Sequence, residues 1–185
     1  MGFNGTEAQW YQVTSDAQLK QGDFLERFPI MLQPLDMSTE AEQLKDADVS
    51  PDIEVYSVVI MTQSCDFQKL SDTDLVTLCP RSNYSDLYGE EDAKGKGRWK
   101  PLQEGRVVSA HLLNECSISG HKFEYQVVNL AKVFSVPCGY VKKVALRRGE
   151  RIRLLSPYRE HLAQAFAKRF MRVGLPIDLP EKFPY

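Results

Sequence analysis

The sequence predicts a mainly β domain of the α+β class, a small and partly open β-barrel with long loops and a C-terminal helix. Several short runs of β-branched and aromatic residues are bounded by turn residues, which is typical of such folds. Two polar stretches, 33–54 and 81–105, indicate long insertions between strands. We expect one domain over residues 1–185, with the barrel core in 1–140 and a basic segment, helix and proline-rich tail in 141–185.

The strongest apolar run, VYSVVIMTQSCD at residues 55–66, predicts a buried central strand that ends in a surface turn. A rigid strand that ends at the surface is a common place to hold reactive groups. The turn residues Thr62, Ser64, Cys65 and Asp66 are therefore candidate functional residues. Ser64 and Asp66 also suit a purely structural role, because short polar side chains hydrogen-bond backbone groups in turns.

Upstream of this run, residues 6–13 suit either a short helix or a first strand, and Gly22 with Asp23 predicts a tight turn. Apolar side chains over residues 24–32 then indicate a strand. Pro29 interrupts it and predicts an edge position or a bend. The acidic stretch 33–54 has few large apolar groups and predicts an exposed loop.

Downstream, LVTLC at 75–79 predicts a second buried strand that Pro80 closes, followed by the polar stretch in which Trp99 docks. Residues 106–115 suit a helix or a strand equally. The alternation in HKFEYQVVNL at 121–130 predicts a strand with one solvated face. Further strands are expected in 131–137 and 150–156.

The C-terminal helix is the best defined by pattern. Ser156 is the expected N-cap and Pro157 suits the first turn, while Gly174 predicts the end of the helix. Leu162 and Phe166 contribute to its apolar face. Arg169 falls inside this face, which predicts either a structural arginine with a polar partner or a group that contacts phosphate.

The net charge of −2 is unevenly distributed. Residues 1–54 carry eleven acidic and three basic side chains, and residues 142–172 carry two acidic and ten basic ones. The asymmetry predicts either pairing between the two ends or a basic face for an anionic partner such as RNA. The candidate nucleic-acid contacts are Lys142, Lys143, Arg147, Arg148, Lys168 and Arg172, with Arg151 and Arg153 nearby.

Several classes of protein are disfavoured by composition. No apolar stretch reaches about 18 residues, the length of a membrane-spanning helix, and the first residues lack the pattern of a signal peptide. We therefore expect a cytoplasmic protein without a membrane partner. The four cysteines are widely spaced and show no recurrent ligand pattern, so neither a metal nor another cofactor is expected.

The order of features resembles the PemK/MazF type of toxin. A Gly22–Asp23 turn leads into a strand, a long loop follows, and then come VYSVVIMTQSCD and LVTLCPRS. The resemblance covers about residues 19–82 and implies an SH3-like barrel. It also implies a metal-independent endoribonuclease of bacterial stress or phage defence, of the kind found in toxin–antitoxin systems, or a relative that has kept the fold and lost the cleavage.

Such enzymes use an arginine with a threonine or serine near these strands. By the resemblance, Arg27 or Arg81 would stabilise the charge that develops on the phosphate, while Thr62 or Ser64 would orient the 2′-hydroxyl.

Two alternatives remain open. In the first, the protein is a non-catalytic interaction module. Its QSCD turn is structural, and its charged ends bind a partner protein or a second copy of the chain. In the other, Cys65 is a nucleophile activated by His111, His121 or His161 through the fold. Asp66 beside Cys65 argues against this, because a neighbouring carboxylate favours the neutral thiol.

Overall fold

The computed structural model describes residues 9–32, 52–93 and 97–171. These residues form eight strands and five helices, in the order β1 (Tyr11–Thr14), β2 (Phe24–Leu32), β3 (Asp52–Ile60), α1 (Ser64–Phe67), β4 (Leu75–Asn83), α2 (Tyr84–Ala93), α3 (Trp99–Gln103), β5 (Ala110–Leu113), β6 (Gln126–Asn129), β7 (Phe134–Pro137), α4 (Cys138–Arg148), β8 (Arg151–Leu154) and α5 (Tyr158–Phe170).

Six strands form one sheet and two form another, and every pairing is antiparallel. The larger sheet has the order β2-β3-β4-β6-β5, and β7 pairs with β4 in line with β6. The smaller sheet is β1 with β8. The predicted β-rich α+β class is confirmed. Among the described strands, β2 and β5 remain the edges of an open sheet, so a closed barrel is not formed.

Strand β3 is buried on both faces at its C-terminal end. Val58 and Ile60 belong to an apolar cluster that α4 covers, and Val59 and Met61 belong to a second cluster that includes residues of β8 and α5. Neighbouring residues of a strand point to opposite faces, so burial on both sides requires a continuous apolar run. This explains the VVIM run and confirms the buried strand that it predicts.

The Gly22–Asp23 turn joins the two sheets. The Gly22 N–H donates to the Ile60 carbonyl, and the Gly22 carbonyl accepts from the Leu154 N–H, both at 2.9 Å. Gly22 has a φ of 84°, and a Cβ atom there would lie 3.0 Å from the Leu154 Cβ. The turn therefore requires glycine, both for its backbone conformation and for its close approach to β8.

Two strand predictions rest on prolines, and the structure agrees with one of them and contradicts the other. Pro29 lies within β2, the edge strand, as predicted. The prediction that Pro80 closes a strand is wrong, because β4 continues to Asn83 and Pro80 pairs with Val58. The stretch 81–105 is also not simply a polar loop, since it contains the end of β4, α2 and α3.

Other expectations are resolved by the pairing. Of the two alternatives for residues 6–13, a strand forms over Tyr11–Thr14, and residues 106–115 contain strand β5. Residues 150–156 contain β8 as predicted, whereas helix α4 was not anticipated. The expected strand over residues 121–130 is shorter, only β6.

The C-terminal helix forms as α5, with Pro157 rather than Ser156 at its N-cap position and Leu162 fully buried. Arg169 is half-buried on this helix. Its expected end at Gly174 and most of the acidic loop 33–54 lie outside the described residues, although 52–54 belong to β3. Within the described part of the chain, no helix has the length and apolar character needed to cross a bilayer.

Candidate functional site

A bulge in the edge strand β2 builds one side of a polar cleft. Leu25 pairs with Val58 and Phe28 pairs with Tyr56, so Glu26 and Arg27 together oppose the single residue Ser57. Arg27 adopts a φ of 48°, outside the range of ordinary strands. Such bulges redirect side chains and are frequent next to active sites. Here the Ser57 hydroxyl donates a 2.6 Å hydrogen bond to Glu26 Oε2 and holds this carboxylate in the cleft.

Arg81, near the end of β4, supplies a buried positive charge to the same cleft. Its side chain is only 3% exposed, and its guanidinium carbon lies 4.3 Å from the centre of the Phe24 ring and 5.3 Å from that of Phe123. Planar guanidinium groups stack well on aromatic rings. Nη1 donates to Gln126 Oε1 at 2.7 Å. The aromatic contacts and this hydrogen bond fix the orientation of the side chain.

The remaining nitrogens of Arg81 are incompletely satisfied. Nη2 lies against Glu26 Oε1 as an ion pair, but neither Nη2 nor Nε makes an aligned hydrogen bond within the described residues. Buried donors without partners are rare and costly, which makes such a group notable. Burial lowers the pKa of Arg81 from 12.5 to about 10, so the group still carries its charge at neutral pH.

The cleft has a volume of about 440 Å³ and is polar on most sides. A hydrogen-bond chain supports it, because Gln126 donates to Asn83 and Asn83 donates to Asp86. Lys122 adds a second, exposed cation. Two cations and two carboxylates line the cleft together with uncharged polar side chains, and these residues are Arg81, Lys122, Glu26, Asp86, Ser57, Ser82, Asn83 and Gln126. This arrangement can bind an anion beside a carboxylate able to accept a proton.

The predicted QSCD turn lies elsewhere, and its hydroxyls bond the backbone. Thr62 Oγ1 accepts a 2.8 Å hydrogen bond from the Thr77 N–H, and Ser64 Oγ accepts one of 3.1 Å from the Gln21 N–H. The turn itself forms the short helix α1. These contacts attach the end of β3 to β4 and to the Gly22–Asp23 turn, which is a structural role.

Cys65 and Asp66 are exposed on this helix. The Cys65 sulfur lies 3.7 Å from both Gln63 Oε1 and Asp66 Oδ1, and neither neighbour is a base that would activate a thiol. Asp66 lines a separate cleft of about 520 Å³, in which Lys69 is the one cationic side chain among the described lining residues.

The structure does not bring the QSCD turn and Arg81 together. Thr62 bonds to Thr77, and Arg81 lies four residues further along β4, which corresponds to about 13 Å in an extended strand. The two groups also line different clefts. Of the predicted catalytic residues, Thr62 and Asp66 line one cleft and Arg81 lines the other. Arg27 is exposed at the bulge next to Glu26 and does not line the Arg81 cleft.

The predicted basic surface is partly realised by helix α4. Lys142, Lys143, Arg147 and Arg148 are all exposed, although Lys142 pairs with Asp72 at 3.0 Å. Arg148 donates to the Arg27 carbonyl at 3.1 Å, which places the C-terminal end of α4 at the same bulge as Glu26. This single bond to the β2 backbone is the contact between the basic residues of α4 and the bulge, and none of the four lines the Arg81 cleft.

The other predicted cations lie apart from this surface. Lys168 is exposed on α5, and Arg172 lies outside the described residues. Arg151 and Arg153 are buried and bonded to Asp23, so they do not contribute to a basic face. For these two arginines, the acidic partners come from the N-terminal part of the chain, Asp23 and Asp16.

Sequence reasoning missed Glu26, Ser57 and Gln126. A signal for the bulge is present in the sequence FLERFP, where two polar residues in succession interrupt the alternation of a strand. Gln126 offers no such signal, because its burial depends on the packing of β6 against β4. Among the described residues, no three His, Cys, Asp or Glu side chains are grouped as metal ligands would be.

Comparison with known proteins adds no assignment to this geometry. No protein-family model matches the chain, and no curated protein matches its sequence.

Proposed function

We propose that this protein binds single-stranded RNA at the Arg81 cleft and cleaves it without a metal ion, as an endoribonuclease of the PemK/MazF-like kind. The observation that carries the proposal is the contact between the buried Arg81 guanidinium and the Glu26 carboxylate in an open polar cleft. A fixed cation next to a carboxylate is the pair of groups that phosphodiester cleavage by a 2′-hydroxyl needs.

In the proposed reaction, Glu26 accepts the proton of the ribose 2′-hydroxyl while the 2′-oxygen attacks phosphorus. The bond from phosphorus to the 5′-oxygen breaks, and that oxygen leaves with a proton from water. The products are a 2′,3′-cyclic phosphate and a 5′-hydroxyl. Arg81 stabilises the negative charge that develops on the phosphate oxygens, and Ser57 positions Glu26 through their hydrogen bond.

This assignment moves the catalytic groups away from the QSCD turn. Thr62 and Ser64 already accept backbone hydrogen bonds, and Arg27 is an exposed cation at the bulge. We assign Arg27, together with Arg147 and Arg148 on α4, to contacts with the RNA backbone. Such contacts make binding strongly dependent on salt.

The fold supports the proposal through the position of β8. The Leu154 N–H bonds the Gly22 carbonyl, and Asp23 forms an antiparallel bridge with Arg153, so β8 lies beside the start of β2. Two sheets that meet in this way at the Gly22–Asp23 turn are compatible with a partly open SH3-like barrel, the fold that we propose for the described residues up to Leu154.

The test is cleavage of single-stranded RNA in EDTA, with product ends identified by mass spectrometry. Glu26→Gln should lower the rate by about 10²-fold or more, the range expected for loss of a general base. Glu54→Gln on β3, an exposed glutamate outside the cleft, is the matched control and should cleave normally. The proposal is wrong if the intact protein leaves RNA uncut and shows no salt-dependent binding to it.

A non-catalytic interaction module is the second candidate. The structural bonds of Thr62 and Ser64 favour it, because the QSCD turn is then architectural as that hypothesis requires. Size-exclusion chromatography at low and high salt separates the two. An oligomer that dissociates in salt and does not respond to RNA supports the module, whereas an unchanged monomer contradicts a module that binds a second copy of the chain.

A further inference from the structure

A groove of about 330 Å³ lies apart from the Arg81 cleft and is lined by aromatic side chains. Trp10, just before β1, and Trp99, at the start of α3, both line it, together with Tyr125. These are the two tryptophans of the chain. All three rings are partly exposed, so the groove is open to a ligand from solution.

Neighbouring rings hold the two tryptophans in place. Trp10 stacks on Tyr158, with ring centres 3.6 Å apart and an angle of 10° between the planes. Trp99 packs edge-to-face with Tyr125 at 4.7 Å and with Tyr84 at 5.0 Å. The lining is therefore preorganised, which reduces the entropy cost of binding a flat ligand.

Two side-chain amides border these rings. Gln103 and Asn114 line the groove, and neither amide makes a side-chain hydrogen bond to another described residue. The Asn114 carbonyl accepts a 2.6 Å bond from the Tyr11 hydroxyl, which fixes the backbone beneath its side chain. Aromatic faces beside free amides are the groups that bind an unpaired nucleobase, by stacking and by hydrogen bonds to its edge.

We propose that this groove binds one unpaired nucleobase of an RNA strand. Tyr125 lines the groove and the next residue, Gln126, lines the Arg81 cleft, so β6 and the residue before it carry side chains of both sites. The bound base would belong to the same RNA strand whose phosphate lies at Arg81. The inference rests on the proposed function for the identity of the ligand as RNA, but base binding has a test of its own.

Tryptophan fluorescence measures the groove directly, because both tryptophans line it. AMP, GMP, CMP and UMP are each titrated into the full-length protein, with ribose 5-phosphate as the control that has the phosphate but no base. We expect saturable quenching by at least one nucleotide and none by ribose 5-phosphate. Trp10→Phe leaves Trp99 as the single reporter, and because it replaces one ring of the groove the response should persist with a lower affinity.

Variants assign the binding to named groups. Gln103→Ala or Asn114→Ala should lower the affinity about fivefold, as for the loss of one hydrogen bond. Gln68→Ala, an exposed amide outside the groove, is the matched control. Arg81→Lys should leave nucleotide quenching unchanged even where RNA cleavage is lost, which separates failure of the two proposals.

The groove proposal is overturned by three results. One is the absence of quenching by all four nucleotides, and another is equal quenching by ribose 5-phosphate. The third is emission that depends on protein concentration but not on nucleotide, which assigns the groove to contact with a second copy.

Discussion

Asp23 accepts a 2.9 Å hydrogen bond from Nη2 of Arg153 at a point where neither side chain reaches solvent. Arg151 donates to the same carboxylate at 2.7 Å, through its Nε. The arginines also donate to backbone carbonyls of Asp16 and Gln18. One carboxylate therefore connects β8 with the segment that precedes β2, and most of the buried donors have partners.

Asp23→Asn should destabilise the protein by about 3–5 kcal/mol, because it leaves two buried arginines without their negative partner. The free energy of unfolding from urea titration measures the change. Asp16→Asn is the matched control, because Asp16 is exposed and its carboxylate lies 3.7 Å from Arg153. It should have a much smaller effect on stability, because ion pairs exposed to solvent contribute little. Equal effects of the two substitutions would contradict a dominant role for Asp23.

Several features of the fold could be predicted from the sequence. The turn at Gly22–Asp23, the buried run at β3, the edge strand with Pro29 and helix α5 follow from local signals. Each depends on residue type and spacing within a short window, which is where sequence patterns are informative.

Features that depend on tertiary contacts were not predictable. Arg151 and Arg153 belong to a strongly basic segment, and only the fold shows that Asp23 neutralises them in the interior. The Arg81 cleft could not be predicted for the same reason, because Glu26 on β2 contacts Arg81 on β4 across the intervening strand β3. The polar end of β3 was the clearest local signal for a site, but its hydroxyls serve the backbone.

Substitution by alanine at two helical glycines should change the stability of the protein in opposite directions. A Cβ atom at Gly139 in α4 would lie 2.8 Å from the Cβ of Asp72, so Gly139→Ala forces this loop away from the helix. At Gly89 in α2 the nearest atom is Ser85 Cβ at 3.7 Å, an ordinary contact. We expect Gly139→Ala to cost about 1–3 kcal/mol and Gly89→Ala to stabilise by about 0.5–1 kcal/mol. Thermal unfolding of the two variants measures both changes.

Thiol labelling should distinguish one cysteine from three. Cys65 is exposed, whereas Cys79, Cys116 and Cys138 are buried, and burial raises the pKa of Cys79 to about 12. Under native conditions a thiol reagent should modify one group per chain, and four after unfolding in denaturant. Cys65→Ser should abolish the native reaction.

The rate of that reaction tests the cysteine-enzyme alternative. Among the described residues, Cys65 has only Gln63 and Asp66 within hydrogen-bonding range, so it should react no faster than an ordinary thiol near neutral pH. Rapid and selective alkylation of Cys65 would contradict this expectation and support the hypothesis that Cys65 is a catalytic nucleophile.

Acid should destabilise the protein through His111. Burial, with a smaller contribution from His161, lowers the pKa of His111 from 6.5 to about 4. Between these values the unfolded chain binds a proton that the folded protein does not, so stability falls as the pH decreases from about 6.5 to 4. At 1.36 kcal/mol per pKa unit the loss is at most about 3 kcal/mol.

Urea unfolding at pH 7 and pH 5 measures this loss, and His111→Gln isolates it from the titration of carboxylates. The variant should lose less stability between the two pH values than the unmodified protein does. His121→Gln is the matched control, because His121 faces Glu150 at 3.5 Å on a different part of the surface. It should retain the full pH dependence, and an equal reduction in both variants would show that His111 is not the group responsible.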